Sequence, residues 1–278
     1  MSRPLLVIDG DSFAHRAYHG LPKTVRRAGN KGGGAIVGFA NYLIKLITEE
    51  KPRAVVVGWD TLEVPNWRAL ELEGYQGGRV FEDEIVEQLN VLPEFVAAFG
   101  CVVGKGAGFE ADDFLATAVA REEKRGGTVL VATGDRDAFQ LASDKTTILQ
   151  PVKAGEIARI DPKGVRERYD VEPAQVPDFI ALRGDPSDKI PGAKGVGEKT
   201  AASLLKRYPD LEAMLADNRF PGLEEKLRLY KRIATMVTTA PLGEVPDAEP
   251  SWGKAAQLAR AWELNTLSER LATLAEGA

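Results

Sequence analysis

The sequence of 278 residues predicts an α/β fold with a parallel-rich central sheet, followed by a second, helical domain. Three runs at 4–9, 53–60 and 128–135 are rich in Val, Ile and Leu, which is typical of strands buried on both faces of a parallel sheet. Helical patterns lie between these runs, and from about residue 161 only helical patterns continue. This alternation predicts strands joined by right-handed helical crossovers.

In chain order, the strand at 4–9 is followed by a helix at 35–50, and the strand at 53–60 by an irregular stretch at about 62–85. A fourth strand, F-G-C-V-V-G at 99–104, precedes an alanine-rich helix that begins at residue 111. Later helical patterns cover 173–183, 198–207, 210–216, 222–238 and 254–275. We therefore predict a first domain at 1–167 and a helical domain at 168–278.

The composition is that of a globular protein, with 44% hydrophobic and 28% charged residues. A single cysteine, Cys101, excludes an internal disulfide and favours a reducing compartment. The apolar run at 5–8 is too short for a signal sequence, and no run is long enough to span a membrane. The expected location is the cytoplasm.

Acidic residues concentrate where the predicted strands end, and ligands bind at that edge of an α/β sheet. Further acids open the helix at 111 or lie in R-G-D-P-S-D at 183–188, which gives the set Asp9, Asp60, Glu110, Asp112, Asp113, Asp135, Asp137, Asp185 and Asp188. Any one of them could simply cap a helix. Together they would repel by ~4 kcal/mol for each pair about 4 Å apart, at an effective dielectric constant of about 20.

Divalent cations with oxygen ligands would balance this repulsion. Because no cluster of Cys or His is present, Mg2+ or Mn2+ is favoured over Zn2+. Several carboxylates around two such ions are typical of phosphoryl transfer. Without the nine acids, 32 acidic residues remain against 36 Lys and Arg, so the rest of the chain is mildly basic despite a net charge of −5.

The stretch I-P-G-A-K-G-V-G-E-K-T-A at 190–201 resembles a nucleotide-binding P-loop only superficially. Glu198 interrupts the GxxxxGK[ST] pattern, and no buried strand precedes the loop. A glycine turn whose helix amides meet a nucleic-acid phosphate is one interpretation. A simple capped helix with solvated lysines is the other.

Five motifs in order resemble the 5′-nuclease, or flap endonuclease, family, which includes the N-terminal domain of bacterial DNA polymerase I and phage 5′-exonucleases. They are V-I-D-G-D-S, V-V-G-W-D, G-F-E-A-D-D, T-G-D-R-D-A-F-Q-L and G-D-P-S-D-K-I-P-G-A-K-G-V-G-E-K-T-A. The resemblance covers about residues 4–240. It implies a PIN-like nuclease core with a helical arch at about 62–85 and a helix–three-turn–helix DNA-binding motif. It also implies phosphodiester hydrolysis that leaves a 5′-phosphate and a 3′-hydroxyl.

The resemblance assigns roles residue by residue. Asp9, Asp60, Glu110 and Asp112 would surround one ion and Asp135, Asp137, Asp185 and Asp188 another, with Asp113 in support. Arg16 would meet the scissile phosphate, with Tyr75 and Arg79 in the arch, where Tyr75 could stack on a base. The residues expected to grip duplex DNA are Gly192, Lys194, Gly195, Gly197, Lys199, Thr200, Lys206 and Arg207, in a turn that holds K+ in relatives.

Two positions depart from the family pattern. Gln76 stands where many relatives carry a lysine near the scissile phosphate, and Lys189 stands where many carry asparagine. Neither is a predicted metal ligand, so the prediction of an enzyme is kept. The loss of the cation at 76 leaves Arg16 and Arg79 to meet the phosphate charge.

The expected partner is DNA with a 5′-flap, nick, gap or 5′-end, including flaps that contain RNA, bound by a monomer associated with the nucleoid. No polymerase motif follows the nuclease motifs, so the expectation is a stand-alone nuclease. Two alternatives are a catalytically weak DNA-junction binding protein and a PIN-type ribonuclease. The complete acid set disfavours the first, and the helix–three-turn–helix signature disfavours the second.

Overall fold

The computed structural model describes residues 3–61, 64–78, 80–152 and 155–277. Within them, the strands are β1 (Leu5–Asp9), β2 (Arg26–Arg27), β3 (Lys31–Gly32), β4 (Ala54–Gly58), β5 (Val102–Gly104), β6 (Val129–Ala132), β7 (Thr146–Pro151) and β8 (Ile157–Ile160). Six of them form one sheet in the order β5-β4-β1-β6-β7-β8, and only the β7–β8 pair is antiparallel. The predicted fold class is confirmed, although β7 and β8 were not recognised in the sequence.

The helices of the first domain are α1 (Gly10–Gly20), α2 (Gly34–Glu50), α3 (Trp67–Glu71), α4 (Asp83–Ala98) and α5 (Ala111–Lys124). Those that follow the sheet are α6 (Pro162–Tyr169), α7 (Val176–Arg183), α8 (Glu198–Arg207), α9 (Leu211–Ala216), α10 (Glu224–Ala234), α11 (Trp252–Ala261) and α12 (Asn265–Glu276). Short 3-10 turns lie at 28–30, 137–141 and 173–175.

The sheet is covered on both faces, because successive side chains of a strand point to opposite sides. On one face, Val7 and Val131 pack in a cluster with α5 and with helices of the second domain. On the other face, Ile8 and Leu130 pack in a cluster with α1, α2, α4 and α11. The strands are therefore buried on both faces, as their continuous apolar runs predicted.

A glycine brings the acidic start of α5 close to the sheet. A Cβ atom on Gly58, at the end of β4, would lie 2.6 Å from the carbonyl oxygen of Ala111. That distance is far below van der Waals contact with a backbone atom, so the close approach requires glycine. The first turn of α5 is thereby fixed at the carboxyl edge of the sheet.

In the predicted arch, α3 begins after Asn66, whose Oδ1 accepts the amide of Ala69 at 2.9 Å. Turns at 73–78 follow and lead to α4. Three apolar side chains of the described part of this segment face solvent: Val64 is 41% exposed, Leu70 is 76% exposed and Val80 is 91% exposed. Where it is described, the arch consists of a short helix and a series of turns before α4.

The pattern at 254–275 predicted one helix, which is wrong, because the structure has two helices there. The chain turns after α11, with Glu263 in the left-handed region at φ 58°, and α12 runs back along α11. The pair packs on α4 of the first domain: the ring of Trp252 lies 5.9 Å from that of Phe99, and Trp262 lies 5.4 Å from Phe95. Similarly, α10 ends at Ala234, short of the predicted 238.

Among the described residues, none of the helices is long and apolar enough to cross a membrane.

We expect Trp252→Ala to lower the free energy of unfolding by about 3–5 kcal/mol, because it removes the ring that joins α11 to α4 and leaves a cavity. Urea unfolding followed by circular dichroism measures this change. The control is Leu70→Ala at an exposed position, which should stay within about 0.5 kcal/mol of the parent. A loss below about 1 kcal/mol for Trp252→Ala would contradict the packing role.

Candidate active site

A cleft of about 1260 Å³ opens at the carboxyl edge of the sheet, between the first domain and the start of the second. Eight of the nine predicted acids line it: Asp9, Asp60, Glu110, Asp112, Asp135, Asp137, Asp185 and Asp188. No three of the described carboxyl, imidazole or thiol groups are drawn together tightly enough to form a metal-ligand set as they stand. The acids therefore surround a shared space without converging on one point.

The acids at the strand ends are held by backbone amides and hydroxyls. Asp9 caps α1: its Oδ1 accepts the amide of Ser12 at 2.9 Å, and its Oδ2 accepts the hydroxyl of Thr133 at 2.7 Å. Asp135 accepts the amide of Asp137 at 2.9 Å. Asp135 and Asp60 lie two or three residues beyond the ends of β6 and β4, in the loops that leave the sheet.

Asp60 ties two helix starts to the sheet edge. Its Oδ1 accepts the amide of Ala111, the first residue of α5, at 2.8 Å. Its own amide donates to Oδ2 of Asp11 at 2.7 Å. Asp11 also lines the cleft and was missed in the sequence, although D-G-D at 9–11 places it one residue from Asp9 across Gly10.

The adjacent residues Asp112 and Asp113 have different surroundings, because neighbours on a helix point about 100° apart. Asp112 lines the cleft, and its buried Oδ1 has no hydrogen-bond partner among the described residues. Asp113 is fully buried outside the cleft lining, and its carboxylate accepts from Arg68, from the amide of Val237 and from that of Glu110. Asp113 therefore supports the site from behind and does not face the cleft.

Arg68, which was also missed, is the cation paired with the start of α5. It is 3% exposed, and its guanidinium contacts Glu110 Oε2 at 2.7 Å and both oxygens of Asp113 at 2.8 and 2.9 Å. Part of the repulsion within E-A-D-D is thus balanced by the chain itself. No local pattern indicates this pairing, because Arg68, in W-R-A-L at 67–70, lies 42 residues from Glu110.

The second domain brings two acids to the cleft. Asp185 is 8% exposed, and its Oδ1 accepts the amide of Ser187 at 2.8 Å. Asp188 is linked to the arch, because its carbonyl oxygen accepts the amide of Gln76 at 3.2 Å. The arch therefore meets the second domain directly beside the acids.

Tyr75 occupies the space between the two groups of acids. Its hydroxyl lies 3.2 Å from Glu110 Oε2 and 3.5 Å from Asp188 Oδ2, and the residue is 8% exposed. In this conformation the ring is not available for a base, so stacking on DNA remains a prediction that requires the ring to move. Burial raises the pKa of Tyr75 far above its ordinary value, so the hydroxyl keeps its proton and donates.

Of the two arginines predicted to be catalytic, the structure places Arg16 in the cleft. Its Nη2 donates to the carbonyl oxygen of Pro151 at 3.3 Å. Arg79 lies outside the described residues.

The glycine turn before α8 packs on the end of α7. A Cβ atom on Gly192 would lie 2.4 Å from the backbone nitrogen of Gly184, and its φ of 71° also favours glycine. The predicted DNA contacts lie outside the cleft lining, on this turn and along α8: Gly192, Lys194, Gly195, Gly197, Lys199, Thr200, Lys206 and Arg207. The five that are not glycine are exposed, and Lys206 is ion-paired with Asp170.

Burial and crowding shift several acids of the cleft towards their protonated forms. Burial raises the pKa of Asp9 to about 7, although the bonds from Ser12 and Thr133 oppose the shift. Burial also raises the pKa of Glu110 to about 7, against the opposing charge of Arg68. The same cause, followed by the neighbouring carboxylates, raises the pKa of Asp11, Asp112 and Asp137 well above the ordinary range.

The chain matches two family models in succession. Residues 4–170 match the model described as "5'-3' exonuclease, N-terminal resolvase-like domain", and residues 171–277 match "5'-3' exonuclease, C-terminal SAM fold". The chain belongs to the 5′-3′ exonuclease family. The resemblance identified from the five sequence motifs is confirmed.

Curated relatives of this 5′-3′ exonuclease family member include DNA polymerases I. That of Mycobacterium tuberculosis strain H37Rv is 37% identical over 256 residues, which is 87% of this chain and 28% of the relative. That of Bacillus subtilis strain 168 is 36% identical, over 86% of this chain and 28% of the relative. The chain thus spans less than a third of the length of these relatives.

Solved structures share the exonuclease fold. A bacteriophage T5 5′-exonuclease with divalent zinc ions has a TM-score of 0.71 at 17% identity, covering 98% of this chain and 99% of that one. The catalytic core of Rad2 with a DNA substrate has a TM-score of 0.61 at 15% identity, covering 97% and 90%.

We expect the metal-free chain to lose stability as the pH rises from about 4 to 7. Because the pKa of Asp9 is raised to about 7 on folding, the native state binds more protons than the unfolded state in that window. Asp9→Asn should flatten this dependence and stabilise the chain by roughly 1–3 kcal/mol at pH 8.

Differential scanning calorimetry in EDTA between pH 4.5 and 8 measures this dependence. Asp144→Asn, at an exposed turn, is the control and should follow the parent. Equal slopes for the parent and Asp9→Asn would rule out a raised pKa at this position.

Proposed function

We propose that this chain is a divalent-metal-dependent 5′-nuclease that hydrolyses phosphodiesters in branched or 5′-ended duplex DNA. Membership of the 5′-3′ exonuclease family supports the reaction class. One neighbour of similar fold, the T5 D15 flap endonuclease, has been solved in a complex with DNA and metal ions. It supports the choice of substrate and cofactor.

The observation that carries the proposal is the gathering of eight carboxylates from two domains in one cleft. Residues that join the cleft from positions as far apart as 9 and 188 incur a large electrostatic cost there. Capping one helix or one turn explains each acid singly and does not explain why they share a space. A site that binds cations does explain it.

The residues present fit hard divalent ions. All eight side chains offer oxygen ligands, and the buried Oδ1 of Asp112 has no partner within the described chain, a cost that a cation would remove. Two groups of four acids would each hold one Mg2+ or Mn2+ ion. The first group is Asp9, Asp60, Glu110 and Asp112. The second group is Asp135, Asp137, Asp185 and Asp188. Such ions supply charge stabilisation to the attacking and leaving oxygens of the phosphodiester.

The chain's own residues bind and orient the substrate. Arg16 lies in the cleft, and its planar guanidinium suits a scissile phosphate. Tyr75 gives up its contacts with Glu110 and Asp188 when DNA enters, and its ring then stacks on a base, worth roughly 1–3 kcal/mol. Water adds to phosphorus as the bond to the 3′-oxygen breaks, so a 5′-phosphate and a 3′-hydroxyl result.

The turn at 192–197 and the helix α8 would hold the duplex backbone. Lys194, Lys199 and Arg207 are exposed there, and the amino end of α8 has no side-chain cap in the described structure, so its first amides can meet a phosphate. The carbonyl groups of the same turn would hold K+. DNA polymerase I relatives support a role in replication and repair of DNA, and we propose that the chain acts there as a monomer in the nucleoid region of the cytoplasm.

A labelled 5′-flap duplex tests the proposal directly. We expect cleavage with Mg2+, none with EDTA, and a single-turnover rate at least about 100-fold lower for Asp135→Asn, because loss of one ligand weakens charge stabilisation worth several kcal/mol. Asp144→Asn should cleave like the parent.

Three outcomes count against the proposal. Tight flap binding by the parent without any cleavage would favour the junction-binding alternative. Faster cleavage of RNA than of DNA flaps would favour a PIN-type ribonuclease. Full activity in EDTA would exclude the role given to the acids.

We expect Lys199→Ala to weaken flap binding and to reduce the slope of log K against log salt by about 0.9, because one phosphate contact is lost. The matched control is Lys145→Ala, at the opposite edge of the sheet before β7, which should leave the slope unchanged. Fluorescence anisotropy at several KCl concentrations measures both. Equal slopes for all three proteins would place the duplex away from α8.

A further inference from the structure

Arg68 makes five hydrogen bonds beside the cleft, although it does not line it. Its Nε donates to the carbonyl oxygen of Ile233 at 2.8 Å, and its Nη2 donates to that of Thr235 at 3.1 Å. The remaining bonds go to Glu110 and to both oxygens of Asp113. One cation in the arch therefore joins the acidic start of α5 to the end of α10 in the second domain.

The shape of the guanidinium matters for these contacts. Two parallel N–H bonds to Asp113 and two bonds to backbone carbonyls need a planar fork, which lysine lacks. Asp113 is fixed in turn by the amide of Val237 at 2.9 Å. The ring of Trp67 also lies 4.7 Å from the guanidinium carbon. Arg68 is thus held from several sides.

Glu110 depends on this arrangement. Its Oε2 accepts from Arg68 at 2.7 Å and from the Tyr75 hydroxyl at 3.2 Å, so the orientation of the carboxylate in the cleft is set by two arch residues. The bond from Arg68 is the shorter and the charged one, and such bonds are the stronger. When Tyr75 moves, the charged bond from Arg68 still holds the carboxylate in place.

We propose that Arg68 is a positioning residue for the nuclease reaction: it fixes the Glu110 carboxylate and keeps the arch and the end of α10 in one alignment over the acids. This inference rests on the proposed function. The alternative is a simpler role, in which Arg68 only neutralises the buried charge of Asp113. The two roles differ in what happens when that charge is also removed.

The experiment compares the full-length variants Arg68→Met, Arg68→Lys and Arg68→Met/Asp113→Asn with the parent. The readouts are Mn2+ affinity by titration calorimetry, kcat and KM on the labelled 5′-flap, and melting temperature. A matched control is Arg53→Met: Arg53 is a largely buried arginine, 10% exposed, that joins α5, through Glu122, to the later segment at 245–247, outside the cleft lining.

We expect Arg68→Met to lower Mn2+ affinity and kcat by about 10–100-fold, the usual range for a group that orients a metal ligand. Arg68→Lys keeps the charge but not the planar, forked donor group, so kcat should be at least about fivefold below that of the parent. The double variant should regain melting temperature, because no buried carboxylate of Asp113 is left unpaired, but not Mn2+ affinity or kcat. Arg53→Met should have a lower melting temperature than the parent, with Mn2+ affinity and kcat within about twofold of the parent values.

Recovery of Mn2+ affinity and kcat in the double variant would overturn the proposal and leave Arg68 a purely structural cation. Parent-like affinity and kcat in Arg68→Met would overturn it as well. If Arg68→Met does not fold, the lysine and double variants decide between the same outcomes. A parent that neither binds Mn2+ nor cleaves the flap refutes the proposed function itself, and this inference with it.

Discussion

Repulsion between neighbouring carboxylates is the interaction that the rest of this structure has to offset. A pair of unit charges 4 Å apart at an effective dielectric constant of about 20 repels by ~4 kcal/mol, which is comparable to a large part of a domain's net stability. The chain meets this cost in three ways. Backbone amides and a hydroxyl satisfy Asp9, Asp60 and Asp135. Arg68 satisfies Glu110 and Asp113. Burial and the neighbouring carboxylates raise the pKa of Asp112 and Asp137, which shifts both towards their protonated forms.

The scaffold can hold such groups together because its elements approach closely and pack on both sides of the sheet. Gly58 lets α5 lie against β4, and the two apolar clusters fix the strands from which the acids extend. Asp185 and Asp188 come from a different domain, and the arch bridges the gap through Tyr75 and Gln76. The cleft is therefore a property of the assembled chain, since neither domain alone supplies all of its walls.

Much of this arrangement could be predicted from the sequence, because it rests on local patterns. Apolar runs that end near an aspartate predicted the strands and the edge at which Asp9, Asp60 and Asp135 meet. The helical patterns on either side of the glycine turn at 192 were also predicted, with α8 matching 198–207 residue for residue. These features depend on burial and helix periodicity, which a sequence records directly.

Other features depend on contacts between distant residues, and no local pattern encodes them. The partners of Arg68 lie 42 to 167 residues away. Whether Asp112 or Asp113 faces the cleft depends on the rotation of α5 about its axis, which is set by packing. The strands β7 and β8 carry polar residues among the apolar ones, and the turn at Glu263 that separates α11 from α12 has no glycine or proline to mark it.

The two positions that depart from the expected family pattern, 76 and 189, meet at the contact between the arch and the second domain. Gln76 and Lys189 both adopt left-handed backbone conformations, at φ 50° and 61°, and the amide of Gln76 donates to the carbonyl of Asp188, which belongs to the peptide bond preceding Lys189. Asparagine tolerates such a conformation better than lysine does. One backbone hydrogen bond links the two sites, so a substitution at either position that changes its backbone conformation acts on the same contact. The effects of substitutions at 76 and 189 should therefore be non-additive.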